Sequence, residues 1–211
     1  MPKKVDPEAR RQEVAEAVFR VARRDGLEHA SLRNVAAEAG LAIGSVRHYF
    51  AGQADIMIFA MRHFVDRAGA RLMEHVRTRP APDAPPDRHV AAFEAALAEL
   101  LPLDAERREE TEVWLAFTVS ARTHDELRPY AERLYDETRG LIRKVLASAE
   151  RAGVLQDGLD PDVETERLYA LVDGLALHGV LQPGRLDADA MRATLRRHLG
   201  EIMPRGGRPV T

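Results

Sequence analysis

Cysteine is absent from the 211 residues, which removes disulfide frameworks, thiolate nucleophiles, thiol redox sensors and Cys-ligated zinc or iron–sulfur sites. No stretch approaches the roughly 18 uninterrupted apolar residues of a membrane span. The start, Met1-Pro2-Lys3-Lys4-Val5-Asp6-Pro7, carries charge but no apolar h-region. These absences lead us to expect a soluble, cytoplasmic protein with no membrane partner. A positive excess is also missing. The 31 Lys+Arg and 34 Asp+Glu leave a formal charge of −3, and that total read alone argues against indiscriminate attraction to nucleic acid. Catalytic signatures are lacking as well. The eight histidines form no H-x-x-x-H or H-E-x-x-H, no E-x-x-H recurs at helical spacing, and there is no G-x-G-x-x-G, P-loop or G-x-S-x-G. We therefore expect no catalytic residues, no metal site and no cofactor.

Alternation at period 2 is scarce, whereas apolar residues three and four apart recur along most of the chain, so the reading is all-α with about nine helices. Val14, Val18 and Val21, with Ala17 and Ala22, stripe a first helix that Asp25-Gly26 stops, glycine being expected in the left-handed C-terminal conformation. A short second helix starts at Ser31, whose hydroxyl is placed to accept from the amide of Arg33 or Asn34, and ends at Gly40. A third spans 43–50. Longer helices follow over 53–77, 87–101, 104–122, 125–152, 162–181 and 187–202. Between the first two of these, residues 80–86 form a proline-rich linker. Asp104, Asp160 and Asp187 are N-cap candidates, and Pro129 falls near a helix start, where its missing N–H costs least. The tail, 204–209, reads as disordered. Domain boundaries are expected at 1–52 and 53–211.

The richest segment is 31–50, Ser31 to Phe50, which has the form of a helix-turn-helix. Small Ala36 and Ala37 permit close helix approach and Gly40 a tight turn, while Val35, Leu41, Val46 and Phe50 suit a shared miniature core. Gly44, Ser45, Arg47, His48 and Tyr49 then face outward. The Arg47 guanidinium has the geometry to bond guanine O6 and N7, and the hydroxyls suit phosphate oxygens. Gly44 at a helix start costs about 1 kcal/mol relative to Ala, which close approach to DNA would explain. Plainer readings stand beside these. Ala-rich helix pairs also occur in ordinary bundles, Arg33 reads equally well as a solvated charge or a phosphate ligand, His48 could bond nearby backbone, and Tyr49 could pack against the first helix.

On these residues, 8–64 resemble the DNA-binding region of the TetR family of transcriptional regulators. Its hydroxyl-capped helix, Ile/Val-Ala-x-x-Ala-Gly run, Gly-Thr/Ser-Leu/Val run and aromatic-x-Tyr-Phe ending are matched by Ser31, Val35-Ala36, Ala39-Gly40, Gly44-Ser45-Val46 and Tyr49-Phe50. Trp114-Leu115-Ala116-Phe117 and Asp173-Gly174-Leu175-Ala176-Leu177 resemble the effector domain of the choline-responsive betaine regulators. Three positions depart from the family: Arg47 stands where many members carry Tyr, Ala42 replaces a Ser/Thr cap, and Gln53 replaces a phosphate-contacting Lys. The resemblance implies that Ser31, Arg33, Ser45, His48 and Tyr49 contact or orient the DNA backbone and that Arg47 reads a base. Asn34, Gly44 and Gln53 complete the expected DNA-facing set.

Residues 168–181 are apolar around nearly the whole helix except Asp173 and His178, so this helix needs cover on both sides. One side suits its own domain and the other a partner chain, with a monomer core helix as the plainer reading. Gly174 and Gly179 would permit close crossing. The resemblance implies that the last two helices pair with their two-fold mates, for which Leu171, Leu175, Gly179, Met191, Leu195 and Leu199 are the candidates. Phe93, Leu97, Trp114, Phe117 and Leu177 could line an effector cavity anchored by Asp173 or His178, with Glu112 and His124 as further anchors. Aromatics at this spacing are also ordinary core. A cation held by Trp114 and a carboxylate follows from the subgroup resemblance.

The charge total changes meaning when divided. Residues 1–50 hold nine Lys/Arg and seven Asp/Glu, a net +2, and the other 161 hold 22 and 27, a net −5. A mildly basic reader joined to an acidic domain fits a homodimeric one-component repressor released from a palindromic double-stranded operator by a small-molecule effector. The competing readings are a dimeric helical adaptor or small-molecule-binding protein without a DNA role and, further off, an all-helical enzyme.

Overall fold

The computed structural model describes residues 6–81 and 83–203, and the backbone alone at Glu28. The expected disordered tail, the first five residues and Pro82 of the proline-rich linker lie outside the described residues. Among those described there are nine α-helices, one 3-10 turn and no strand. The helices are α1 (Pro7–Asp25), α2 (Leu32–Glu38), α3 (Ile43–Tyr49), α4 (Gln53–Arg77), α5 (Pro86–Ala98), α6 (Ala105–Ser120), α7 (Arg128–Arg151), α8 (Pro161–Leu181) and α9 (Ala188–Ile202), with the 3-10 turn at Leu27–His29. None of the described helices is long and apolar enough to cross a membrane.

Local chemistry sets most boundaries. Asp104 accepts from the Arg107 amide at 2.9 Å, Asp160 from Asp162 at 2.9 Å, and Asp187 from Ala190 at 2.9 Å, so each satisfies an amide that the first helical turn leaves free. Several expected ends move, the sixth helix for one closing at Ser120 rather than 122. The fifth helix stops at Ala98 rather than 101, since Pro102 disfavours helical backbone at Leu101, and the chain closes there through 3-10 bonds. The seventh begins at Arg128 rather than 125, after turns in which the Leu127 and Arg128 amides bond the His124 and Asp125 carbonyls, with Pro129 then in its first turn. The second ends at Glu38, short of Gly40. Gly26 does stop α1, but at φ 94° and ψ 152°, an extended positive-φ geometry rather than the left-handed helical one.

The chain divides into two compact units, Met1–Asp66 with Glu112–Arg133, and Arg67–Thr111 with Leu134–Thr211. In the first, Val14, Ala17, Val18 and Val21 of α1 are fully buried, and α1 packs on both α2 and α3. Arg20 and Arg24, one turn apart on α1, each bond Glu38 at 2.8 Å, so α2 is fastened to α1 at its C-terminal end. Phe50 stacks edge-on against Phe59 at 5.4 Å, with the Arg11 guanidinium over both rings.

In the second unit, α5, α8 and α9 pack around Leu97, Leu168, Met191, Leu195 and Leu199, all fully buried. An ionic cluster joins α4 to α5 and α6. Arg71 bonds Glu110 at 2.7 Å and Glu99 at 3.1 Å, and Glu99 also meets His75 Nε2 at 3.1 Å and Arg107 at 3.3 Å. Arg196 of α9 forms a fork on the buried Glu94 carboxylate at 2.7 and 2.8 Å. A Cβ at Gly179 would stand 2.7 Å from Met191 Sδ and 2.9 Å from Pro102 Cγ, while one at Gly174 would meet nothing within 4 Å. Of the two glycines expected to permit close crossing, Gly179 does so inside the chain. Gly179→Ala should therefore destabilise by about 1–2 kcal/mol, crowding outweighing the helix-propensity gain, whereas Gly174→Ala should stabilise by up to about 1 kcal/mol. Urea denaturation of both variants provides the comparison, and equal effects would show that the Gly179 contact relaxes freely.

Candidate nucleic-acid interface

The α2–turn–α3 unit is built from short-range bonds. Ser31 caps α2 by accepting from the Asn34 amide at 3.2 Å, and the Asn34 side chain donates to the His29 carbonyl at 2.9 Å. Two residues expected to face DNA thus already have work inside the chain. Gly40 turns the backbone at φ +66°, and the Leu41 amide returns to the Ala36 carbonyl at 2.8 Å. Ala36 is buried and provides the close approach, but Ala37 is exposed and Leu41 is only half-buried. Both were expected at the helix contact. The seven-residue span of α2 leaves room for only one such face.

On α3, Val46 is fully buried and Phe50, just beyond, is 2% exposed. Fixing Val46 inward turns Gly44, Ser45, Arg47 and His48 outward, and all four are exposed, with Tyr49 half-buried. Arg33 is exposed on α2. Neither Arg33 nor Arg47 makes an ion pair or hydrogen bond with any described residue, so both guanidiniums are available. The His48 and Tyr49 rings meet edge to face at 5.2 Å. Ala42 gives α3 no side-chain cap, which leaves its first amides open to an outside acceptor such as a phosphate oxygen. Gln53, at the start of α4, is half-buried and has an interaction partner within the chain.

Sequence reading missed the fastening of α2. The two arginines hold the Glu38 carboxyl below its ordinary range, hydrogen bonding to Arg20 and then Arg24 being the main causes, and Asp25 and Glu38 raise Arg24. The i, i+4 spacing of Arg20 and Arg24 was the available signal, but nothing in it names Glu38.

The other expected positions fall in both units. Trp114 is half-buried and Phe117 buried in the first. In the second, Phe93 and Leu97 are buried, Asp173 and Leu177 half-buried and His178 exposed. Burial pushes the Asp173 carboxyl up to about 6, and it has no hydrogen bond or ion pair with any described residue. Tyr169, one turn before it, lies 4.9 Å from the Tyr135 ring. Its phenol is raised by burial and then by the Asp173 charge. His124 is spent on the end of α6, its Nδ1 lying 2.9 Å from the Ser120 carbonyl. Of the expected interface residues, Leu175, Gly179, Met191, Leu195 and Leu199 are buried within the chain itself and Leu171 is half-buried. No group of three or more His, Asp or Glu suited to a metal occurs among the described residues.

Ser31→Ala should cost about 1 kcal/mol of stability through loss of the cap. Thermal unfolding of Ser31→Ala and Ser31→Thr checks this, with Thr expected to restore most of the loss. Unchanged stability in Ser31→Ala would leave DNA contact as its role.

Residues 89–204 match the family described as BetI-type transcriptional repressor, C-terminal. The HTH-type transcriptional regulator PksA of Bacillus subtilis is 38% identical over 202 residues, covering 96% of this chain and 94% of that protein. The HTH-type transcriptional regulator BetI of Vibrio parahaemolyticus is 30% identical over 205 residues, covering 94% of each. A transcriptional regulator of Rhodococcus sp. Rha1 superposes with TM-score 0.76 at 33% identity, over 94% of this chain and 96% of that one. A regulator of Saccharomonospora viridis in complex with choline superposes with TM-score 0.76 at 25% identity, over 92% of this chain and 96% of that one.

Proposed function

Since the chain belongs to the TetR family of transcriptional regulators, a non-enzymatic family, and carries its BetI-type C-terminal repressor domain, we propose how it works: as a homodimer it holds a palindromic operator and lets go when a small cationic effector binds. The observation that carries the DNA reading is the outward face of α3, where Arg47 stands exposed without an intrachain partner on a helix oriented by Val46. An arginine so placed suits bidentate reading of guanine, and Ser45, His48 and Tyr49 suit phosphate oxygens beside it. Arg33 adds a phosphate contact from α2.

A second copy is supported by α8. Val163 and Leu181 are 52% and 55% exposed, and Ala170, Gly174 and Leu177 continue the same stripe at helical spacing between them. An apolar stripe of this length is suited to its own two-fold mate, with Leu171 at its edge. Met191, Leu195 and Leu199 support the arrangement from behind by fixing α9 against α8. Two readers related by a two-fold axis would meet half-sites in successive major grooves.

The effector reading rests on Asp173. A half-buried carboxylate without a partner favours a bound cation, and the Tyr135–Tyr169 pair one turn away offers aromatic faces of the kind that attract quaternary ammonium groups. The choline bound by the Saccharomonospora viridis regulator is chemistry of this type. Release of DNA requires that the effector favour one conformation by ~1–3 kcal/mol. The unbroken helix α4, from Gln53 to Arg77, is the covalent path for that preference.

Arg47→Ala should weaken operator binding by ~1–3 kcal/mol and leave random-sequence DNA nearly unaffected, as measured by fluorescence anisotropy. Equal loss on both DNAs would make Arg47 a phosphate contact. Asp173→Asn should abolish the response to choline while sparing operator affinity. Its stability effect has a definite sign. Because the folded pKa lies above the ordinary one, the native state binds more protons than the unfolded state between about pH 4 and 6, and stability falls as pH rises through that window. The asparagine variant should therefore be the more stable above pH 6, by about 1 kcal/mol after allowing for solvent screening, and the gain should vanish below about pH 4. A retained choline response would remove Asp173 from the effector site.

A further inference from the structure

We propose that a cleft at one end of the second unit binds a small organic carboxylate with a short apolar body, at a site separate from the cation proposed for Asp173. The cleft encloses about 110 Å³. Arg79 and Pro80, just after α4, form one side. His89 and Phe93, one turn apart near the start of α5, form the second, and Ser148 and Arg151, one turn apart at the end of α7, form the third.

The polar groups are built in rather than scattered over a surface. His89 is 3% exposed and Ser148 5% exposed, and His89 Nε2 is buried with no hydrogen-bond partner among the described residues. Buried ring nitrogens are ordinarily satisfied, so an unpaired one in the wall of a cleft marks a place where a partner is missing. At the rim, Arg79 and Arg151 are exposed, and neither is ion-paired with any described residue. Several other arginines of this unit, among them Arg71, Arg107, Arg139 and Arg196, are committed to a carboxylate, whereas Arg88, Arg185 and Arg192 pair with none among the described residues. Two uncommitted guanidiniums beside a buried hydroxyl and an imidazole attract an anion, and planar, forked donors favour a carboxylate. The first turn of α5 adds the positive end of its helix dipole, and Arg151 offsets the negative end of α7.

Phe93 and Pro80 decide what the anion is attached to. Inorganic phosphate would leave these apolar walls uncovered, whereas an aliphatic tail would fill them. A cavity of about 150 Å³ takes benzene, so about 110 Å³ holds roughly four carbon atoms with the carboxylate at the arginine rim. Short-chain acids of butyrate size meet both limits.

The test is ligand-observed NMR and calorimetry on the full chain with sodium butyrate, inorganic phosphate and choline chloride at constant ionic strength. Butyrate should bind one per chain, about tenfold more weakly in Arg79→Gln and in Arg151→Gln, and measurably more weakly in Ser148→Ala, whose fold the substitution barely disturbs. Asp173→Asn should bind butyrate unchanged, so loss of the choline reading leaves this one standing. Three results would overturn it: no binding of butyrate at millimolar concentrations, equal binding by wild type and both arginine variants, or tighter binding of phosphate than of butyrate.

Discussion

A helix of seven residues does not hold itself together in water, where isolated helices shorter than about 12–15 residues are marginal. Helix α3, proposed to read DNA, has seven, and it lacks a side-chain cap. Its existence and its rotation about its own axis therefore rest on burying Val46 where α3 packs on α1 and α2, and on seating Phe50, just beyond, against Phe59 of α4 and Arg11 of α1. Everything proposed for DNA depends on that burial, because each residue along a helix turns by a fixed angle and the inward position of Val46 dictates the outward positions of Ser45 and Arg47. The frame below is tightened by the Arg20/Arg24–Glu38 fork, which sets where α2 ends relative to α1. The outward residues of α3 proposed to read DNA take no part in that frame.

The second unit solves a different problem, that of fixing long helices in register. Its apolar core supplies cohesion, but apolar contacts alone tolerate sliding. The ionic cluster of Arg71, Arg107, Glu99 and Glu110 does not. Burial pulls the Arg71 guanidinium down, yet Glu110 and Glu99 outweigh it and leave Arg71 raised. Replacing such a cluster by apolar groups can be neutral for stability, whereas removing one member strands a buried charge. Its contribution is to make one register of α4 against α5 and α6 distinct from its neighbours, which suits the proposed switch between defined states.

Features written within three or four residues were legible in the sequence. Asp104, Asp160 and Asp187 cap the helices expected of them, and the outward face of α3 emerges from periodicity alone. Where two local rules competed, the boundary moved, as at Pro102 and Pro129. Contacts between distant residues were not legible. Glu94 and Arg196 are 102 positions apart, and no pattern on either helix names the other. The stripe of Met191, Leu195 and Leu199 announced burial but not its partner, which is the chain's own α5 and α8. Residue chemistry was ambiguous in a further way. A serine hydroxyl suits a phosphate or a helix amide equally, and Ser31 and Asn34 are both used locally. The cleft at His89 was invisible because three separate segments build it.

The paired arginines of the first unit also bear on how this protein would respond to its ionic surroundings. Arg10 is bonded to Glu13, Arg20 and Arg24 to Glu38, and Arg23 has a partner within the chain, so several of the cations near the reader are already neutralised from within. Each phosphate neutralised by a protein cation releases close to one condensed counterion from duplex DNA. With Arg33 proposed for a phosphate and Arg47 for a base on the described α2–α3 face, these free guanidiniums would displace only about one or two counterions per reader. Such a grip would weaken with rising salt less steeply than one built on about six to ten phosphate contacts, leaving occupancy of the operator more to the effector than to osmotic conditions.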